Sequence, residues 1–128
     1  MNFLLDTCTF LWAIIEAEEL SSRAERIIGD SGNRIFLSPV SSWEISVKYS
    51  LGKLPLPEAP GKYIPFQRER HGIESLPLGE KAALLHAGLP NHHKNPFDRL
   101  IVCQARAHDL TIMTPDKLIA QYPVPVLW

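Results

Sequence analysis

Cysteine is scarce in this chain. There are two in 128 residues, Cys8 and Cys103, far apart and without a partner at Cys-x-x-Cys spacing. That excludes a cysteine-based metal cluster and thioredoxin-like chemistry. Both fall in apolar-patterned helices, where a buried, inert thiol is expected. Long apolar runs are missing too: none approaches the ~20 residues needed to span a bilayer. The start, MNFLLDTCTFLW, lacks a basic segment and carries Asp6 inside its apolar run. No secretory signal is read there, so the expected compartment is the cytoplasm, with no membrane partner. Nor does one sign of charge dominate. The 13 Lys+Arg face 14 Asp+Glu, a net charge of −1, so this is not an overtly basic nucleic-acid binder. A cluster of acids around divalent cations would still be locally neutral or positive.

Several catalytic motifs are absent as well. There is no Walker-type phosphate loop and no G-x-S-x-G elbow. DTCT, residues 6–9, lacks the second aspartate of a D-x-D phosphotransferase loop, which disfavours a small-molecule phosphatase. His92 and His93 are adjacent, so their side chains tend to diverge, and a zinc site needs further partners. They are expected to be solvated loop residues or phosphate contacts.

What is present suits one domain over 1–128, long enough to bury a core without disulfides. The apolar fraction of 45% is ordinary for a globular chain. Short apolar runs at 3–6 (FLLD), 34–38 (RIFLS), 73–76 (IESL) and 111–114 (TIMT) read as strands, with VPVLW as a last edge strand. Helices are expected at 8–19, from Ser21 or Ser22 to the GDSGN turn, and after a cap at Ser41 or Ser42 to about Gly52. Further helices are expected over YIPFQRERHG, at 78–89, from Pro96 to about His108, and over PDKLIAQY. Residues 55–62, PLPEAPGK, read as a loop. Alternating strands and helices imply an α/β fold, a parallel sheet with helices on both faces. Ligands bind such sheets beyond the carboxyl ends of the strands.

Acids collect at those places. Asp6 closes the first strand, and Asp116 follows TIMT by one proline. Glu44 lies early in the helix after RIFLS, and Asp98 opens the helix leading into TIMT. Taken singly, each has a bland reading: Asp6 as a helix cap, Glu44 as a solvated face, Asp98 and Asp116 as first-turn acids complementing a dipole. Agreement of the four positions points elsewhere. Gathered carboxylates repel, and a hard divalent cation, Mg2+ or Mn2+, relieves that repulsion with oxygen ligands.

Four segments, LLDTCTFLW, SSWEISVKYSLGKL, HHKNPFDRLIVCQA and TIMTPD, occur in order over nearly the whole chain. Together they resemble the PIN domain, and within it the VapC-type toxins of bacterial toxin–antitoxin pairs. The resemblance implies a PIN-like three-layer α/β/α sandwich around a mainly parallel sheet of about five strands. It implies a metal-dependent endoribonuclease using Mg2+ or Mn2+. Asp6, Glu44, Asp98 and Asp116 match the acidic quartet, and Thr114 matches the hydroxyl residue that helps hold a metal-bound water. Thr7 and Ser42 lie beside the quartet as expected supporting donors. Arg99 matches an Arg that pairs with a carboxylate or reaches phosphate. Asn95 stands where relatives frequently have Asp, and its amide can still cap the helix.

On this reading Asp6, Asp98 and Asp116 bind one or two ions, with Glu44 completing the site directly or through water. An activated water attacks the phosphorus in line, leaving a 5′-phosphate and a 3′-hydroxyl. Asp98 at a helix N-terminus would be biased toward its ionised form. Setting the four site acids aside leaves 13 basic residues against 10 acidic ones. Lys48, Lys53, Lys62, Arg68, Arg70, Lys94 and Arg99 are then candidates for RNA phosphate contacts. Large apolar residues around Phe10–Ile15 and around Trp43 and Tyr49 are expected in the core first and in interfaces second. The resemblance implies a homodimer and a cognate antitoxin whose tail crosses the pocket. The alternatives are a DNA-directed nuclease and a catalytically silent PIN-fold module that binds RNA or protein.

Overall fold

The computed structural model describes residues 1–128. Five strands form one sheet: β1 (Asn2–Leu5), β2 (Arg34–Leu37), β3 (Ile73–Ser75), β4 (Thr111–Met113) and β5 (Val126–Leu127). Every pairing is parallel, and the order is β3-β2-β1-β4-β5. β1 is central, and its run is apolar on both sides because both sides are covered. Phe3 and Leu5 point to one face with Ile35 and Leu37, whereas Leu4 and Phe36 point to the other.

Helices α1 (Thr7–Ile14), α2 (Ser22–Gly29), α3 (Pro39–Ser50) and α4 (Pro60–Arg70) cover the first face. They contribute Phe10, Ala24, Ile45 and Ile64 to its core. Opposite lies α6 (Pro96–His108), which buries Ile101, Val102 and Ala105 against Leu4 and Ile112. The short α5 (Glu80–Leu84) packs on α6. This is the three-layer parallel arrangement expected from the alternation of elements. No helix is long and apolar enough to cross a membrane.

The chain steps outward from β1 to β2 to β3, then returns past β1 to β4. Connections on the two sides of β1 therefore diverge and leave a crevice at the strand ends, where ligands of such sheets sit.

Several element boundaries differ from expectation. α1 stops at Ile14, not residue 19, and Glu16 adopts a left-handed φ of 53°. The following EAEE offers no apolar face to bury, so nothing rewards continuing the helix. Ser21, not Ser22, caps α2, its hydroxyl accepting from the Ala24 N–H. Ser38 caps α3 ahead of Pro39, displacing Ser41 and Ser42 as caps. α4 begins at Pro60, inside the expected loop, and tolerates Pro65 within it. Gly72 at φ +67° then turns the chain into β3, a conformation that L side chains rarely adopt. The helix expected at 78–89 is α-helical only over Glu80–Leu84 and tightens to a 3-10 turn over Leu85–Gly88. Gly79 gives it no side-chain cap, and Pro90 lies just beyond its end. PDKLIAQY keeps only a 3-10 turn over Ile119–Gln121.

Candidate functional site

Asp6 leaves β1 and caps α1. Its Oδ1 accepts from the Thr9 N–H at 2.8 Å. Its Oδ2 accepts the Thr114 hydroxyl, just past β4. The same Thr114 oxygen accepts the Asp116 N–H at 3.0 Å. One hydroxyl thus ties the acid of β1 to the acid after β4. With its only proton given to Asp6, Thr114 positions two carboxylates and has no proton left for a water. The Thr9 hydroxyl adds a second tether, donating to the Met113 carbonyl at 3.0 Å. Asp116 holds its own loop, its Oδ1 accepting from the Leu118 N–H at 2.8 Å.

Glu44 reaches the crevice from α3 and is buried. Thr7 Oγ1 lies 2.6 Å from Glu44 Oε1 and 2.9 Å from Ser41 Oγ. A hydroxyl has one proton, so Thr7 donates to the carboxylate and the Ser41 hydroxyl donates to Thr7. Lys48 donates to Glu44 Oε2 at 2.7 Å. Of the two expected donors, Thr7 bonds Glu44 and Ser42 does not. Ser42 points away, into a groove beside Pro39 and Trp43. The partner is Ser41, one residue and 100° around the helix. Ser41 and Lys48 sit three before and four after Glu44, and that spacing was the available signal. Lys48, expected as a phosphate contact, is engaged by Glu44.

Asp98 stands in the first turn of α6, while Asn95 is the cap, its side chain accepting from the Phe97 and Asp98 N–H groups. His93 Nε2 lies 3.4 Å from Asp98 Oδ2, and its Nδ1 lies 2.8 Å from the Tyr122 hydroxyl. Arg99 Nη1 donates to that hydroxyl oxygen at 3.1 Å. The proton count then runs one way. Arg99 gives to Tyr122, Tyr122 gives to His93 Nδ1, and His93 presents an Nε2–H to Asp98. His93 and Asp98 are both largely buried, with side chains 11% and 15% exposed. So His93 is neither a solvated loop residue nor free for phosphate, and its position before the helix carried no sequence signal. Arg99 is also corrected. It is buried, packed over the Tyr122 ring, and donates to His86 Nε2 and the Pro90 carbonyl. It bonds no carboxylate, and it connects to Asp98 through Tyr122 and His93.

Electrostatics show how close these acids are. Burial, then Glu44 and Asp6, push the Asp98 carboxyl up to about 6, against a smaller lowering by His93. This corrects the expectation that a helix N-terminus keeps Asp98 ionised. A dipole contributes ~0.3–1 kcal/mol, whereas a rise of about two units corresponds to roughly 3 kcal/mol. Burial also raises Asp6; the bonds from Thr114 and Thr9 oppose it, and the charge of Asp116 adds to it. Cys8 overturns the expectation of a buried thiol. It is exposed at the crevice, its pKa raised by partial burial and by the negative charges of Asp6, Glu44 and Asp98. Cys103 is fully buried, as expected.

No three His, Cys, Asp or Glu side chains converge tightly enough in this structure to hold an ion. The donor set still suits one. It is all oxygen, its acids repel one another, and the one Lys or Arg salt-bridged to it, Lys48, is taken by Glu44.

A family model described as PIN domain matches residues 3–125. Ribonuclease VapC16 of Mycobacterium tuberculosis (strain ATCC 25618 / H37Rv) is 40% identical over 60 residues. That match covers 47% of this chain and 43% of the relative, so the chain spans less than half the length of the curated relative it matches. Among solved structures, VapBC2 from Rickettsia felis, bound to a promoter DNA fragment, aligns with a TM-score of 0.74 at 18% identity. It covers 99% of this chain and 98% of that one. DNA-bound VapBC from Salmonella typhimurium aligns at 0.70 and 18% identity, covering 99% and 97%. At such identities the two structures speak for the fold alone.

Proposed function

This chain belongs to the PIN-domain family, and on that premise we propose that it is a metal-dependent endoribonuclease, the toxin of a toxin–antitoxin pair. The observation that carries the reading is the grouping of Asp6, Glu44, Asp98 and Asp116 around one crevice at the strand ends. Burial raises the pKa values of Asp98 and Asp6 first, and the neighbouring acids add to it. A relative that is a ribonuclease by name supports the RNA substrate. The VapBC neighbours support an antitoxin partner, and a homodimer of a single-domain 1–128 unit completes the proposal.

Asp6, Asp98 and Asp116 would hold Mg2+ or Mn2+. When bound, such an ion supplies positive charge to the scissile phosphate and makes water acidic enough to attack near neutral pH. The chain's own residues do the rest. Thr114 holds Asp6 and Asp116 in register, and Thr9 locks the start of α1 to β4. Glu44 has both oxygens taken, by Thr7 and Lys48, so it shapes the field at the crevice from a fixed position. Asp98 has Oδ2 turned to His93, and its Oδ1 has no protein partner. That free oxygen is the one Asp98 would turn to an ion or to a water beside it.

The test is cleavage of a pool of short RNAs and matched DNAs with Mn2+, by wild type and Asp98→Asn. Mn2+-dependent RNA scission ending in 5′-phosphate, lost by at least 100-fold in the variant, is the expected outcome. Equal cutting of DNA would make this a general nuclease. One observation favours a second reading, a PIN fold that binds RNA or protein without cutting: no three side chains converge on one ion position. Absence of Mn2+ binding by calorimetry in the wild type would select it. A strict monomer at micromolar concentration by light scattering would remove the homodimer.

A further inference from the structure

Beside the acids lies an open groove of about 400 Å³ between α3 and α4. Its lining includes Ser42, Trp43, Ser46, Arg68 and Ser75. Trp43 is 56% exposed, contrary to its expected place in the core. Exposure of an indole is costly, because its burial would be worth about 2 kcal/mol or more. Nor is the ring loose: it pairs edge-on with Phe97, centroids 5.0 Å apart and planes at 77°. Trp43 directly precedes Glu44, and Phe97 directly precedes Asp98. The aromatic pair therefore bridges the two helices that deliver these acids, and the groove opens from its outer side. Arg68 lines the same groove. Its Nη1 bonds the Ile73 carbonyl at 3.1 Å, while its nearest carboxylate oxygen, on Glu69, is 4.0 Å from Nη2.

We propose that this groove is a nucleotide subsite: Trp43 stacks an unpaired base adjoining the scissile phosphate, and Arg68 faces the backbone beyond it. This deepens the ribonuclease reading and rests on it. The occupant follows from the lining. A held but uncovered aromatic face beside a cation and several hydroxyls is what single-stranded RNA uses, since every base has a face to stack and edges to bond. Pro39, Pro60, Ile64 and Pro65 also line the groove, so a protein segment is the rival occupant that the test must exclude. Trp43 packs on Phe97, the residue before Asp98, so a base seated on Trp43 would lie next to the helix start that carries Asp98. Such a subsite would make cleavage selective for unpaired segments and sensitive to the base at one flanking position.

The test measures binding of a fluorescent single-stranded oligoribonucleotide with Ca2+ in place of Mn2+, by polarisation, to wild type, Trp43→Ala and Trp43→Phe. Stacking contributes about 1–3 kcal/mol per base, so Trp43→Ala should weaken binding by about 5- to 150-fold. Trp43→Phe should recover part of that loss. Unlabelled oligonucleotide should quench a fluorescence component that Trp43→Ala lacks. Arg68→Gln removes the charge and, being two atoms shorter, also the bond to the Ile73 carbonyl. It should reduce the slope of log affinity against log salt by about 0.7. Mn2+ calorimetry on each variant, matching wild type, shows the acids still in place. Unchanged RNA affinity in Trp43→Ala overturns the subsite and leaves the groove to a protein partner. Wild type that binds RNA through Trp43 but cuts none overturns the nuclease reading and keeps the subsite.

Discussion

Asp98 carries a cost to the fold that its proposed role would explain. Burial and neighbouring acids hold its pKa at about 6, so ionising it at neutral pH costs stability. Asp98→Asn removes that cost and keeps an amide that His93 can bond. The metal-free variant should be more stable than wild type by about 1–3 kcal/mol at pH 7, read as a higher urea midpoint in EDTA. A lower midpoint would show that the charge is structurally required. Tyr122 makes a second residue-scale case. Tyr122→Phe removes the hydroxyl between Arg99 and His93. Asp98 still faces Nε2, so the ring should keep its Nε2–H form while Nδ1 loses its donor, visible as a shift of the Nδ1 resonance in 15N-detected NMR. Stability should fall by about 1–2 kcal/mol, because the Arg99 Nη1 loses an acceptor it now shares with the Pro90 carbonyl. An unchanged Nδ1 resonance in the variant would break the proposed chain of donors.

At the scale of elements, the site is built from helix starts. Asp6 caps α1, Ser38 caps α3, and Asn95 caps α6. In a parallel sheet all these starts emerge at the carboxyl ends of strands, which is why caps and candidate ligands share one crevice. Asp6 is both at once, so its two roles can be separated. Asn caps as well as Asp but carries no charge. Asp6→Asn keeps the Thr9 cap but turns an NH2 toward the Thr114 hydroxyl, so it should lose that bond and bind Mn2+ poorly. Asp6→Ala also loses the bond from the Thr9 N–H and should fall about 1 kcal/mol below Asp6→Asn. Equal stability of the two variants, by chemical denaturation, would mean the cap contributes nothing. Element ends were also where local patterning misled. The acidic run after Ile15 ended α1 early, and proline and glycine at both ends shortened the helix expected at 78–89.

Across the whole molecule, the raised acids imply a pH dependence of definite sign. A carboxyl raised in the folded state binds protons more tightly there than in the unfolded chain. Without metal, the contribution of Asp98 is therefore favourable below about pH 4 and is lost as pH rises through about 6. Asp6 acts in the same direction. The Arg34–Glu74 surface pair acts oppositely, since its Glu74 pKa is lowered, first by the hydrogen bond from Arg34. His93 and Lys48 also face the acids, so the clean measurement is a difference. In EDTA, the stability of wild type minus that of Asp98→Asn should fall between pH 4 and 7, and saturating Mn2+ should reverse the trend at pH 7. A flat difference would mean that Asp98 is solvated in solution.

Sequence by itself determined the fold class and where along it the four candidate acids stand. Short apolar runs separated by helices admit few solutions other than a covered parallel sheet, and Asp6, Asp116, Glu44 and Asp98 follow from strand ends and helix starts, which are local features. The structure alone decided what each acid touches. Thr114 bonds Asp6 across 108 positions of sequence, and Tyr122 meets His93 across 29. No local pattern encodes such pairs, because they form only when packing brings distant segments together. The same reason explains Ser41 in place of Ser42, the buried Arg99 and the exposed Trp43. Which side of a helix faces a neighbour is decided by the neighbour, and the neighbours here come from the far ends of the chain.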